Sequence, residues 1–478
     1  MGVMQFHVER PDLLLAGSDL SQVDFLLYDG RVVPAKATLN GNLLKCNRTQ
    51  SDSGQLRISW PRFDGRRQVV HTGSLREQPG VYDLEVELAR GQLARLRNQH
   101  SVWTTVGLQT TPELESLIVE SHRAFRSAVL KAEVPEVSGA AALLSMELSG
   151  KATELLCQYY TEQRLTFRRN RTSYLPVFLG CRLQSVPENE SLFLEAFNAV
   201  QVSSPWSMLE PNDGAYEWDK TDALVEWAQK NRLFIVGGPL VDLSVDHMPS
   251  WLKSWSGDLT NLQSFTADFV ETVVGRYVGR IRHWEVVTGA NCGGVGDLNE
   301  EQRINLVARV VEAARQVDEH VHISIRVAQP WGEYLGRTSN RLPPYQMVET
   351  LRRCGVPLAE INLEVKVADS PGKTLCRDSL SLSQLLDYWS LAQLPINVML
   401  TVPYQPGFED PELDAYQAEW LSQTLLMCLS KERVVGAYYM NWSDQTIDGG
   451  LTALVGPDCT PRPTMNLLKR LREAYWAG

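Results

Sequence analysis

From residue 177 to residue 440 the chain repeats one pattern: a short run of β-branched or aromatic residues, then a longer stretch with apolar residues at helical spacing. The short runs lie at 177–181, 199–202, 234–237, 281–287, 321–327, 361–367, 396–402 and 434–440. Amphipathic stretches at 222–230, 262–277, 300–317, 380–393 and 413–430 fall between or beside them. Strands covered on both faces read as continuous apolar runs, so strands of this kind alternating with helices predict a parallel sheet. Eight such units in roughly 300 residues have the count and size of a closed (β/α)8 TIM barrel. No GxGxxG follows a strand and no GxxxxGK[ST] occurs, which argues against an open nucleotide-binding sheet.

The first part of the chain follows a different rule. Up to about residue 110, short alternating runs are broken by turn residues such as Asp29-Gly30 and Asn40-Gly41. Residues 1–110 are therefore expected to form a β-rich, sandwich-like domain, 111–170 a helical connector, and 171–478 the barrel. A small β-domain beside a barrel suits a carbohydrate-binding role, with Trp60 or Trp103 as a stacking platform, although a core position is the commoner fate of a tryptophan.

Composition narrows the partners. A net charge of -11 disfavours nucleic acid and anionic membranes. No apolar run approaches the roughly 20 residues that a membrane helix requires. The N-terminus, Met1 to His7, lacks a basic region followed by an apolar core, so a soluble, cytoplasmic protein is expected. Eight scattered cysteines without a CxxC pair suit reduced thiols better than a disulfide framework or a zinc site, and no cofactor is expected. Asp246 and His247 are adjacent rather than spaced as metal ligands. The oligomeric state is not legible.

In a barrel of parallel strands the active site lies just past the strand ends. Those positions here are rich in indoles, amides and carboxylates: Ser203 to Trp206 with Leu209 to Gly214, then Asp242, Asp246 and His247 with Pro249 to Leu252, then Thr288 to Asn291, Gln329 to Tyr334, Pro403 to Gln405, and Asn441 to Asp444. Sugars present flat CH faces that stack on indoles and hydroxyls that need carboxylates and amides, so the mixture points to a carbohydrate ligand. Glycosidic cleavage normally uses two carboxyl groups. Glu364, inside the otherwise apolar run Ile361 to Val367, is one candidate, and Lys366 on the same face offers it a structural ion pair instead. Glu333, in the Trp-Gly-Glu-Tyr loop, is the other, with pairing to Arg337 or helix capping as its structural alternatives.

Several stretches taken together resemble glycoside hydrolase family 10, the endo-β-1,4-xylanases. Phe197 to Val200 with Leu209 to Trp218 resembles the family's second βα unit, and Gly237 to Val241 with Pro249 to Leu252 its third strand and loop. His283-Trp284-Glu285-Val286-Val287 resembles the segment preceding its acid/base glutamate. Leu363-Glu364-Val365 falls on its nucleophile motif, and Asn441 to Pro463 fits its last strand and tail. The likeness covers residues 177–475. Where the family has Asn-Glu, this chain has Thr288-Gly289, and the family's Glu-Asn-Glu-Met-Lys signature is replaced by Ser203-Ser204-Pro205-Trp206. The resemblance thus implies the fold while removing the usual proton donor.

The resulting expectation is a glycoside hydrolase-like protein acting on a β-linked, xylan-like poly- or oligosaccharide. Glu364 would be nucleophile or base and Glu333 a substitute acid. Trp206, Trp284, Trp331 and Trp442 would line sugar subsites, while Asn291 and Asn441 would bind hydroxyls. The alternative is a degenerate barrel that binds glycans without cutting them.

Overall fold

The computed structural model describes the chain apart from residues 1, 16–19, 63, 173, 245–247, 256–257, 295–297, 369–373, 405–409, 444–449, 457 and 477–478. The described chain forms two compact units. One comprises Met1–Arg168, Gly332–Arg341 and Leu375–Gln384; the other comprises Arg169–Trp331, Leu342–Thr374 and Leu385–Gly478.

The first unit is β-rich at its start. Strands β1 (Gly2–His7), β2 (Asp24–Leu27), β3 (Val32–Asn40), β4 (Leu43–Arg48), β5 (Gly54–Pro61), β6 (Arg67–His71) and β7 (Tyr82–Asp83) form one sheet in the order β6-β5-β2-β3-β4-β1-β7. Neighbours are antiparallel except β1 and β7. Gly41, at φ +57, supplies the left-handed turn between β3 and β4 that the Asn40-Gly41 pair predicts. Three helices follow: α1 (Leu84–Thr105), α2 (Pro112–Leu130) and α3 (Pro135–Arg171).

The sheet packs on these helices rather than on a second sheet, which is where the unit departs from a sandwich. Phe6, Phe25, Leu44, Ile58 and Trp60 share one core with Leu84 and Leu88 of α1, Ala128 of α2 and Met146 of α3. The helical stretch expected as a bare connector is thus a wall of the same core. Trp60 is 2% exposed, and Trp103 is 4% exposed and stacked on Tyr160 at 4.0 Å. Neither offers a ring face to a sugar, so the stacking-platform expectation is corrected here.

The second unit contains the barrel. Strands β8 (Phe178–Leu183), β9 (Ala199–Val202), β10 (Phe234–Gly237), β12 (His283–Thr288), β13 (His322–Val327), β14 (Glu360–Ala368), β15 (Ile396–Tyr404) and β16 (Val434–Tyr439) pair in parallel and close on themselves. A short piece, β11 (Val241–Asp242), continues the third strand along β12. Helices α4 (Glu190–Ala196), α5 (Asp219–Lys230), α6 (Leu259–Arg276), α7 (Glu300–Val317), α8 (Pro344–Arg353), α10 (Asp410–Ser430) and α11 (Pro463–Tyr475) belong to this unit, as does the part of α9 (Ser379–Ser390) from Leu385 onward. Each of the eight short apolar runs coincides with a barrel strand. No described helix is long and apolar enough to cross a membrane.

The lumen has two halves. Ala199, Val236, Met399, Tyr438 and Met440, with Phe178 and Phe234, fill one side with apolar groups. The Tyr438 ring needs the room that two glycines leave: a Cβ on Gly180 would lie 2.4 Å from it, and one on Gly436 2.7 Å. The other half is polar, and the candidate site lies there.

Candidate active site

Alternate residues of a strand share a face. On β14 that places Asn362 and Glu364 inward, on β13 Ser324 and Arg326, and on β12 Glu285. Asn362 Nδ2 donates to Glu285 Oε2 at 2.5 Å and to Ser324 Oγ at 3.1 Å. Asn397 Nδ2, from β15, donates to Asn362 Oδ1 at 2.9 Å and to Glu360 Oε2 at 2.6 Å. Asn397, Asn362, Ser324 and Glu285 are thus linked in a chain across neighbouring strands.

Arg326 is the centre of this network. Its Nη2 lies 2.6 Å from Glu285 Oε1 and donates to Gln201 Oε1 of β9 at 3.3 Å, while its Nη1 lies 3.7 Å from Glu364 Oε1. Burial works against the charge on this guanidinium, yet Glu285 first, then Glu364 and Asp242, hold its pKa above the ordinary value. A buried arginine among carboxylates is thereby a fixed cation in the lumen. At the opposite, N-terminal end of the strands, His283 Nδ1 is 3.3 Å from Glu360 Oε1 and its ring stacks on His322. Burial pushes Glu360 upward, but the bonds from His283 and Asn397 outweigh it and leave its pKa below the usual value.

The structure distributes the eight sequence-derived candidates unevenly. Glu364 is inward-facing and its side chain is 21% exposed. Trp331 is half-buried after the fifth strand. Trp206 is buried, its Nε1 donating to Glu210 Oε2 at 2.7 Å and its ring stacked on Phe269. Trp284 is buried against Gly237, where an added Cβ would meet the indole at 2.4 Å. Trp442 is buried beside Phe193 and Phe197. These three indoles are core, since a ring with no accessible face cannot stack on a sugar.

The amides are committed as well. Asn291, 3% exposed, donates from Nδ2 to the carbonyl of Ala328 at 2.7 Å and accepts from the Ala328 N–H at 3.2 Å, so it staples the fourth and fifth strand ends together. Asn441, 1% exposed, donates to Thr452 Oγ1 at 2.7 Å.

Glu333 falls in the first unit. It is 1% exposed, with Oε1 at 3.2 Å from Arg377 Nη2, and Arg57 and Asp24 form a bidentate pair in the same cluster. A sealed, ion-paired carboxylate has no route to a substrate, which removes the substitute-acid expectation for Glu333. Asp246, His247, Gln405 and Asp444 lie outside the described residues. Among the described residues no group of three or more His, Cys, Asp or Glu could hold a metal ion.

Sequence reasoning missed Arg326 and the interior role of Glu285. The signal was present: Ser324 and Arg326 alternate with Ile323, Ile325 and Val327, which is the period-two mark of a strand with one polar face.

The closed barrel of eight parallel strands is a (β/α)8 fold, and it is similar to the fold of the glycoside hydrolase family 10 xylanases. Residues 178–329 match the family described as Glycosyl hydrolase family 10, a stretch that covers the first five barrel strands and stops before Glu364. The native xylanase 10B of Thermotoga maritima superimposes with a TM-score of 0.52 at 18% identity, over 64% of this chain and 98% of that one. In sequence, the chain is 34% identical over 127 residues to endo-1,4-beta-xylanase 3 of Hypocrea jecorina, covering 27% of this chain and 31% of that enzyme. It is 23% identical over 248 residues to endo-1,4-beta-xylanase A of Phanerodontia chrysosporium, covering 51% and 58%. The chain therefore spans from about a third to somewhat over half the length of these curated relatives.

Proposed function

We propose that the barrel is a glycoside hydrolase acting on a β-linked, xylan-type poly- or oligosaccharide, with Glu364 as the nucleophile or base. The observation that carries this reading is reachability. The Glu285 side chain is 0% and the Glu333 side chain 1% exposed, whereas the Glu364 side chain keeps 21% of its surface. Arg326 beside it would orient the carboxylate, and Trp331 is the candidate indole left with accessible surface. The substrate class is supported by the relatives, which are endo-1,4-beta-xylanases by name.

The test is reducing-sugar release from xylan by the wild-type chain and by Glu364→Gln. The proposal expects release by the first and none above background by the second; equal release by both would refute the role of Glu364.

A second reading has its own support. Gly289 stands where a proton donor is expected and Glu333 is sealed away, which suits a barrel that binds a glycan without cleaving it. Saturable binding of xylo-oligosaccharides with no product, unaffected by Glu364→Gln, would favour that reading over hydrolysis.

A further inference from the structure

Resting on the hydrolytic reading above, we infer that Asp242 is the second carboxylate of the site and handles the proton that no residue at position 289 can handle. Three observations converge on it. The first is register: Asp242 of β11 pairs laterally with Thr288 of β12, so it stands beside the Thr288-Gly289 step, and the Leu243 N–H donates to the Thr288 carbonyl at 3.0 Å. The second is space. Gly289 has φ +77, and a Cβ built on it would lie 3.6 Å from Asp242 Oδ1. The Asp242 carboxylate thus lies within ordinary contact distance of the point from which a side chain at 289 would begin, beside the Ser244 nitrogen at 3.5 Å.

The third is electrostatic. The Asp242 charge, after those of Glu285 and Glu364, helps hold the Arg326 pKa above its ordinary value, and Arg326 Nη1 is 3.7 Å from Glu364 Oε1. Glu285 touches the same cation but is 0% exposed, whereas Asp242 is half-buried. Asp242 Oδ1 accepts from the Ser244 N–H at 2.9 Å and from Ser244 Oγ at 2.7 Å, which holds the carboxylate in one rotamer.

The chemistry balances without any further reactant but water. As the anomeric C–O bond breaks, the Asp242 carboxyl gives its proton to the departing glycosidic oxygen and a Glu364 oxygen bonds to the anomeric carbon. Asp242, now a carboxylate, takes a proton from water as that water attacks the anomeric carbon and releases Glu364. The net change is one glycosidic bond hydrolysed.

The experiment uses the full chain and its Asp242→Asn variant, with xylan and with 2,4-dinitrophenyl β-xylobioside, whose leaving group needs no protonation. The variant should lose about 10²- to 10⁴-fold on xylan. On the dinitrophenyl substrate it should give a burst of dinitrophenol followed by slow turnover, and added azide should restore turnover with a β-glycosyl azide as product. Far-UV circular dichroism and the thermal midpoint establish that the variant is folded. A folded variant that cleaves xylan at the wild-type rate overturns the role of Asp242 while leaving the hydrolytic reading intact. A folded variant impaired equally on both substrates and indifferent to azide makes Asp242 structural and likewise overturns it. A wild-type chain that releases neither sugar nor dinitrophenol sinks both this inference and the reading beneath it.

Discussion

At the scale of single residues, Arg326 decides what the barrel interior can be. A guanidinium 4% exposed and 2.6 Å from a carboxylate that is 0% exposed can lose neither partner cheaply, because the survivor is left as an uncompensated buried charge. Arg326→Leu and Glu285→Leu should therefore each lower the unfolding free energy by about 3–5 kcal/mol in denaturant titrations. The double variant should recover part of that loss, and additive losses would show that the pair is not coupled. Sequence alone shows Glu364 as a carboxylate among apolar neighbours, but not that Arg326 stands next to it, since that contact joins two strands. The indoles failed for a related reason: residue type states that Trp206, Trp284 and Trp442 can stack on sugar, whereas only packing reveals that Phe269, Gly237 and Phe193 already occupy their faces.

At the scale of elements, the strands and helices of the barrel carry their own start signals and their own limits. α7 begins with a capping box in which Asn299 accepts from the Gln302 N–H and the Gln302 side chain accepts from the Asn299 N–H, both at 2.9 Å. Asn299→Ala should cost about 1 kcal/mol, measured by chemical denaturation. β16 sets a tighter condition: a Cβ at Gly436 would come 2.3 Å from Asn397 Oδ1 and 2.7 Å from the Tyr438 ring. Gly436→Ala should destabilise by about 1–3 kcal/mol, and a neutral effect would mean the lumen is looser than described. Elements of this kind are the most legible part of the chain, because an unbroken apolar run flanked by helical periodicity has few other uses. The short 3-10 helical turn at Glu333–Gly336 was not legible, because it packs on β3, nearly 300 residues earlier in the chain.

At the scale of the whole molecule, the buried ionisable groups set its response to acid. His71 is pushed down to about 4, first by burial and then by the charge of Arg95. A histidine neutral when folded and protonated when unfolded contributes stability that is fully present above its ordinary value of 6.5 and is lost as pH falls toward 4. Glu360, lowered from 4.5, adds a further loss once pH drops below that value. The thermal midpoint should thus be flat between about pH 6.5 and 9, where the buried Cys46 thiol is still protonated in both states, and fall below pH 6.5, and His71→Gln should flatten the decline between pH 6.5 and 4; an unchanged slope would contradict the assignment. The division into compact units was legible only in part. Alternating runs mark a β-rich start, but that residues 332–341 and 375–384 join the first unit depends on tertiary partners such as the packing of Glu333–Gly336 on β3 and the bond from the Val69 N–H to the Cys376 carbonyl. The same long-range placement took Glu333 out of contention as the acid and left Glu364, of the two carboxylates the sequence singles out, as the one on which the functional proposal stands. Product release from xylan by the wild-type chain, measured beside Glu364→Gln, tests that proposal most directly. The account predicts reducing ends from the wild type and none above background from the variant, whereas equal release from both, or none from the wild type, would contradict it.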